Sequence, residues 1–224
     1  MMQAVCNFRR WRWALLFVAA SLTACGGDHS LTGPPGGDGD GNDNVAHPFV
    51  HPAGSQFTLP AYISVKGEMT GPIYVGAASG PCAGLEPVSS SLDFVAVCMT
   101  LHNSGATDTS FVLPAGLVMI AADTSTQNGT QVVPIRIRIG AGRDTTILYS
   151  LFCTNEHRTP STDTDVFHFG PVSNNADLAE IIDLVKDKDV TTSDARDLIQ
   201  FAIWEVSDEG GLTDETRSGL EAMP

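Results

Sequence analysis

Short apolar runs separated by turn residues dominate the chain between residues 57 and 152. These runs predict strands at 62–65, 73–75, 92–102, 111–113, 117–120, 130–139 and 145–152. The second half of 130–139 alternates strictly, with Arg136 and Arg138 on one face and isoleucines on the other. About seven short strands at this spacing predict an antiparallel β-sandwich, which we assign to residues 47–152.

The hydrophobic period changes from that of strands to that of helices after residue 153. A first helix, with its N-cap at Asn174–Asn175, is predicted to run to about Lys188. Its apolar residues recur at i, i+3, i+4 and i+7: Leu178, Ile181, Ile182 and Val185. Thr213 is a candidate cap for a short helix over 214–222. The predicted fold is therefore mainly β with α, a sandwich followed by a loop and a helical cap at 153–224.

The central helix of this second half is predicted over residues 192–208. Thr192 or Ser193 can cap its N-terminus, and Gly210–Gly211 ends it. One face carries an apolar stripe: Ala195, Leu198, Ile199, Ala202, Ile203 and Val206. Phe201 and Trp204 lie on the opposite side, which predicts a helix enclosed all round. Gln200, between them, is then a buried polar side chain that needs hydrogen-bond partners.

The N-terminus has the pattern of an export signal. Three arginines at positions 9, 10 and 12 precede a short apolar run, and residues 22–26 resemble a bacterial lipobox. That resemblance implies a signal peptide over 1–24, removed before Cys25, and a lipid on Cys25 that anchors the chain to a membrane. An ordinary signal peptide with a chance cysteine is the alternative. The Gly-, Pro- and Asp-rich residues 25–46 then form a disordered tether.

Export and charge together restrict the location and the partners. We expect a protein anchored to the bacterial membrane, at the outer membrane or cell surface if the cell is Gram-negative. The sequence does not determine which leaflet of the membrane holds the lipid. The whole chain has 12 basic and 26 acidic residues, and removing the signal's three arginines leaves a net charge of −17. Such a surface repels nucleic acid, which we exclude as a partner.

Metal and cofactor patterns are absent from the sequence. Asp38, Asp40 and Asn42 resemble the start of a calcium loop, but Asp43 and Phe49 stand where its glycine and bidentate glutamate belong. Zinc spacing and a phosphate-binding glycine loop are also missing. We therefore predict no metal and no cofactor.

Cysteine arithmetic leaves an odd number of thiols. Of five cysteines, Cys6 leaves with the signal and Cys25 takes the lipid, so three remain in a disulfide-permissive compartment. Cys82 and Cys98 are 16 positions apart, one in a Gly/Pro-rich loop and the other in a predicted strand, and we predict a disulfide between them. Cys153 is then left without a sulfur partner.

Two stretches, LFCTNE at 151–156 and IQFAIW at 199–204, together carry a family resemblance. Over about residues 148–208 the chain resembles the bacterial surface thioester domains, in which a cysteine after an aromatic residue meets a glutamine in a Gln-x-Ala-Ile-Trp helix. The resemblance implies a bond between the Cys153 sulfur and the Gln200 side-chain carbonyl, with loss of ammonia. It also implies that Phe152, Phe201 and Trp204 support the site.

The expected function is surface binding or adhesion to a surface protein or glycan, and the resemblance implies that this thioester can mediate it. We expect no enzymatic activity. Cys153 with Glu156 and His157 offers an alternative, a cysteine-dependent hydrolase or acyltransferase. A purely structural envelope lipoprotein is a third interpretation. Gln200 can also be a buried glutamine bonded to backbone groups, with Cys153 free or in a disulfide.

Overall fold

Ten strands and three helices form the part of the chain that this computed structural model describes, residues 52–71, 80–88 and 95–224. The strands are β1 (Gly54–Gln56), β2 (Ile63–Val65), β3 (Met69–Thr70), β4 (Val95–Asn103), β5 (Thr109–Leu113), β6 (Leu117–Ala121), β7 (Gly129–Thr130), β8 (Ile135–Ile139), β9 (Asp144–Cys153) and β10 (Val166–Ser173). The helices are α1 (Ala176–Val185), α2 (Ser193–Ser207) and α3 (Asp214–Ala222). The predicted signal peptide, Cys25, the tether and the predicted strand at 73–75 lie outside the described residues.

Six antiparallel strands close into a ring in the order β10, β3, β4, β9, β7, β6 and back to β10. The mainly β prediction with C-terminal helices is confirmed, but the strands do not form the predicted sandwich. Closure depends on β10, where Phe167 pairs with Met69 on one side and with Ala121 on the other. An alternation of apolar residues predicts a strand but does not show which other strands it pairs with. It therefore does not distinguish a closed sheet from two packed sheets.

The boundary predicted between residues 152 and 153 falls inside this sheet. β9 continues to Cys153, and β10, which follows the boundary, completes the ring. Apolar side chains from five of the six ring strands, β3, β4, β6, β9 and β10, fill the interior. They include Met99, Leu101, Met119 and Tyr149, none of which is exposed. The sheet and its core therefore depend on residues from both predicted regions.

A second apolar cluster joins the helices to the sheet. It contains the buried residues Phe152, Leu178, Ile181, Val185, Ile199, Ala202, Ile203 and Leu220. The members on α1 and α2 are positions that the apolar periodicity predicted. Leu220 is contributed by α3 and Phe152 by β9. The outer side of the β9 end is thereby covered by the helices, and this contact positions α2 against Cys153.

The three helices begin where capping residues predict. The side chains of Asn175, Thr192 and Thr213 each accept hydrogen bonds from backbone N–H groups in the first turn that follows. Helix α2 is followed by Gly210 and Gly211, with φ angles of 94° and 146° that favour glycine. No helix in the described ranges is long and apolar enough to cross a bilayer.

The predicted strand over 130–139 is two strands, β7 and β8, that belong to different sheets. The intervening Gln131 donates side-chain hydrogen bonds to the carbonyls of Leu113 and Pro114, and Pro134 has no N–H for a continuous ladder. β8 pairs with β5 in a separate two-stranded sheet. Its isoleucines are buried and its two arginines exposed, as the alternation predicted.

Candidate functional site

The end of β9 presents two consecutive buried side chains to two different cores. Phe152 packs in the helical cluster, and Cys153 packs in the core inside the ring, because successive strand residues point to opposite faces. The Cys153 thiol has no solvent exposure and forms no disulfide. The site is therefore a free thiol at the point where the strand ring meets helix α2.

Gln200 holds the backbone of Cys153 with both ends of its side-chain amide. The Cys153 N–H donates to Gln200 Oε1 at 2.9 Å, and Gln200 Nε2 donates to the Cys153 carbonyl at 2.8 Å. Gln200 is 1% exposed. The prediction of a buried glutamine with internal partners is confirmed, and its partner is the residue that carries the free thiol.

Trp204 lies one helical turn after Gln200 and contacts the sulfur itself. Its indole Nε1–H donates to Cys153 Sγ at 3.2 Å, and its ring packs against the core inside the strand ring. Trp204 is only partly buried. Residues four apart on a helix lie on one face, so α2 presents an amide and an indole to the same cysteine.

The surroundings of Cys153 strongly favour the protonated thiol. Burial raises the pKa of the thiol from its ordinary value of 9.0 to about 12. The hydrogen bond from Trp204 lowers this pKa, but it does not offset burial, and the charge of Asp208 raises the pKa further. At neutral pH Cys153 is a neutral thiol, unlike the low-pKa thiolates of typical cysteine enzymes.

Strand β7 approaches the Cys153 backbone closely, and a glycine permits this. Gly129 pairs with Cys153, and a Cβ at Gly129 would lie 2.7 Å from the Leu151 Cβ and 2.8 Å from a Val95 methyl group. Any side chain at this position would therefore displace β7 from the end of β9. Gly129 thus allows β7 and β9 to pair closely next to the thiol.

Buried amide side chains anchor the loop that follows Cys153. Asn128 N–H donates to Asn155 Oδ1, Thr154 N–H donates to the Asn128 carbonyl, and Asn128 Oδ1 accepts from Ala121 N–H. Sequence reasoning missed Asn128 and Asn155. The polar run Gln127-Asn128-Gly129 reads as an ordinary turn, and its burial depends on ring closure.

The predicted supporting residues divide into two that belong to the site and one that does not. Phe152 is buried behind Cys153, and Trp204 contacts the sulfur, but Phe201 is 49% exposed. The prediction that α2 is enclosed all round is therefore wrong at Phe201. One residue is a rotation of about 100° around a helix, which turns Phe201 away from the face that holds Gln200.

The other described cysteines form the predicted disulfide. Cys82 is bonded to Cys98, with Cα atoms 5.8 Å apart, and both pack in a small cluster with Ala96 and Leu148. Cys153 is then the free cysteine among the described residues. The prediction of one leftover thiol at position 153 is confirmed.

The alternative constellation of Cys153, Glu156 and His157 is not assembled. His157 is exposed, and no hydrogen bond joins it to Cys153 among the described residues. Glu156 donates its backbone N–H to the Asp208 carboxylate. A cysteine nucleophile of that kind needs a base within reach and a stabilised thiolate. His157 is not bonded to Cys153 among the described residues, and burial raises the pKa of the thiol, which disfavours the thiolate.

No group of three or more metal-ligating side chains occurs in the described part of the chain. No protein-family model, curated protein or solved structure matches the sequence or the fold. The assignment of a function therefore depends on the chemistry of Cys153, Gln200 and Trp204.

Proposed function

We propose that this is an exported, lipid-anchored envelope protein that binds surface targets through an internal thioester between Cys153 and Gln200. The observation that carries the proposal is the pairing of the Gln200 amide with the backbone of Cys153, the residue that holds the free buried thiol. The resemblance at 151–156 and 199–204 joins the same two residues.

The site chemistry supports attack of the Cys153 sulfur on Gln200 Cδ. The Cys153 N–H already donates to Gln200 Oε1, so it stabilises the negative charge that develops on this oxygen during attack. The C–N bond of the amide then breaks, and the thiol proton moves to the departing nitrogen, which already carries two hydrogens. The products are one thioester and one ammonia molecule.

Burial supports the persistence of such a bond. Hydrolysis needs water at Gln200 Cδ, and both residues of the bond are buried between the strand ring and α2. The partly exposed Trp204 covers the sulfur. An amine of a target that reaches Cδ would form an amide bond there, while the sulfur leaves and takes a proton to become the Cys153 thiol again.

The second candidate is a plain binding protein with an intact glutamine. The two hydrogen bonds of Gln200 favour it, because they satisfy a buried amide without any covalent bond. In that case α2 is fastened to β9 by an uncharged polar pair. A purely structural lipoprotein would have the same site with an intact Gln200, and it would differ from the plain binding protein only because it binds no target.

Methylamine labelling separates the covalent function from the plain one. In the thioester protein, methylamine adds to Gln200 and frees the Cys153 thiol, so peptide mapping finds the adduct on Gln200 alone. Cys153→Ala must abolish the adduct, because it removes the leaving group. If the wild-type protein is not labelled, the thioester is contradicted and only the non-covalent binding function remains.

Accessibility needs a separate control, since the buried site can exclude methylamine. Brief exposure to methylamine in mild denaturant opens the site before the adduct is mapped. Gln127, another buried glutamine, is the internal control: its amide nitrogen donates to the Glu156 carbonyl, no hydrogen bond joins it to Cys153 among the described residues, and we expect it to stay unmodified. Modification of both glutamines would indicate nonspecific chemistry and contradict the proposal.

A further inference from the structure

The exposed face of the two-stranded sheet carries an uncommon cluster of positive charge. Ser110 pairs with Arg138, and Val112 pairs with Arg136, so these four side chains share one face of β5 and β8. The isoleucines of β8 point the other way, into the core inside the ring. Burial of that opposite face fixes both arginines outward.

Neither arginine is neutralised by another residue of the described ranges. Among the described residues, the ion pairs engage Lys66, His102, Lys186 and Arg217, and no salt bridge or hydrogen bond reaches the guanidinium group of Arg136 or Arg138. The Thr145 hydroxyl donates to the backbone carbonyl of Arg138 and leaves its guanidinium group free for a ligand. In a chain with 26 acidic residues, two adjacent unpaired guanidinium groups are a local exception to the negative surface.

The arginines border a shallow, open cleft of about 420 Å³. Its walls also include Asp108, Thr109, Ser110, Ile139 and Gly140. Asp108 is held in place because its Oδ1 accepts a hydrogen bond from Ala141 N–H at 2.9 Å. The cleft thus combines two cations, one fixed carboxylate and the Ser110 hydroxyl group.

We infer that this cleft binds the carboxylated sugar units of an acidic surface glycan. A guanidinium group binds a carboxylate through two parallel hydrogen bonds, and Arg136 and Arg138 are the groups available for it. The Ser110 hydroxyl and the Asp108 carboxylate supply a donor and acceptors for sugar hydroxyl groups. The ligand therefore needs one negative charge beside several hydroxyls.

Asp108 and the net charge of the protein argue for such a ligand over a densely sulfated polymer. Two arginines and one aspartate give the cleft one net positive charge, which a single carboxylate neutralises. Every additional negative charge on the ligand meets Asp108 and an acidic chain. A sulfated polyanion is therefore the disfavoured occupant, and it is tested separately below.

The inference uses none of the residues of the Cys153 site, so the two proposals can fail independently. Reversible glycan binding would bring the protein to a surface, whether or not a thioester then forms. Cys153→Ala must therefore leave glycan binding unchanged. Loss of both methylamine labelling and glycan binding in this variant would point to misfolding, which circular dichroism detects.

The test is titration of the full chain with galacturonate by calorimetry, with galactose as the uncharged comparison. We expect binding of galacturonate that weakens with salt and at least about ten-fold weaker binding of galactose. Arg138→Gln and Arg136→Gln should each reduce galacturonate affinity by about ten-fold or more. Lys186→Gln, which removes an equal charge at the residue that follows helix α1, should leave the affinity unchanged.

Three results would overturn the inference. The first is equal binding of galacturonate and galactose, or no binding of either. The second is an affinity that Arg136→Gln and Arg138→Gln leave intact. The third is tighter binding of heparin than of polygalacturonate through the same arginines, which would assign the cleft to sulfated polyanions instead.

Discussion

The side-chain amide of Gln200 forms two hydrogen bonds with the backbone of Cys153, a residue 47 positions earlier in the chain. One links the Cys153 N–H to the amide oxygen, and the other links the amide nitrogen to the Cys153 carbonyl. This pair joins the end of strand β9 to the middle of helix α2. It places an amide carbonyl against the only residue among those described that carries a free thiol.

Trp204 should contribute far more to stability than Phe201, three residues before it. Its ring packs against the core inside the strand ring, and it is partly buried, so we expect Trp204→Ala to lower the free energy of unfolding by about 3 kcal/mol. Phe201→Ala, on the exposed side of the same helix, should cost less than about 1 kcal/mol. Urea unfolding measures both. Equal losses would contradict the orientation of α2.

The pH dependence of stability should show the buried thiol wherever no thioester can form. Gln200→Ala leaves Cys153 free, and burial raises the pKa of that thiol to about 12 from 9.0. The folded protein then keeps a proton that the unfolded chain loses. The free energy of unfolding should therefore fall as pH rises from 9.0 towards 12, by up to about 1.4 kcal/mol per pH unit.

The control for this pH dependence is Gln200→Ala combined with Cys153→Ala. In the double variant, the free energy of unfolding should fall less steeply with pH, because the contribution of Cys153 is removed. Burial also raises the pKa of Tyr149, but this contribution is common to both proteins and cancels in the comparison. Urea unfolding at several pH values provides the measurement. Parallel curves for the two proteins would mean that the thiol is not buried as described.

The disulfide between Cys82 and Cys98 should stabilise the fold by restricting the unfolded chain. Closing a loop of 16 positions contributes about 3 kcal/mol, so the double variant Cys82→Ala/Cys98→Ala should lose about that amount. Reductant should lower the stability of the wild-type protein and leave the double variant unchanged. A wild-type protein insensitive to reductant would show that the bond is not formed.

Membrane attachment should depend on Cys25, which lies outside the described residues. Because the lipobox-like residues 22–26 imply lipidation there, Cys25→Ser should move the protein from the membrane fraction to the soluble fraction. Cys153→Ser should remain with the membranes, since it removes a thiol that takes no lipid. Membrane retention of Cys25→Ser would exclude lipid anchoring through this residue.

Features with local causes were the ones that sequence predicted well. The caps at Asn175, Thr192 and Thr213 and the helix end at Gly210 follow from backbone hydrogen bonding within a few residues. Burial of Gln200 followed from its apolar neighbours. The leftover thiol followed from counting cysteines.

Features that depend on distant partners were missed. Closure of the ring depends on β10 pairing with two strands, which no local pattern encodes. Phe201 was predicted to be covered because apolar residues are usually buried, yet no described element packs over it. Asn128 is buried between β6 and the loop after β9, where it forms hydrogen bonds with Ala121, Thr154 and Asn155. In each case the burial or pairing depends on contacts between residues that are far apart in the sequence.

The most direct test of the central claim is the intact mass of the unreduced protein. We compare wild-type protein with Cys153→Ala, each against the mass calculated from its own sequence with the Cys82–Cys98 disulfide and any lipid included. The account predicts a wild-type protein lighter by one ammonia and a Cys153→Ala protein at its calculated mass. A wild-type protein at full mass, with Cys153 alkylated after denaturation and Gln200 unchanged, would contradict the thioester.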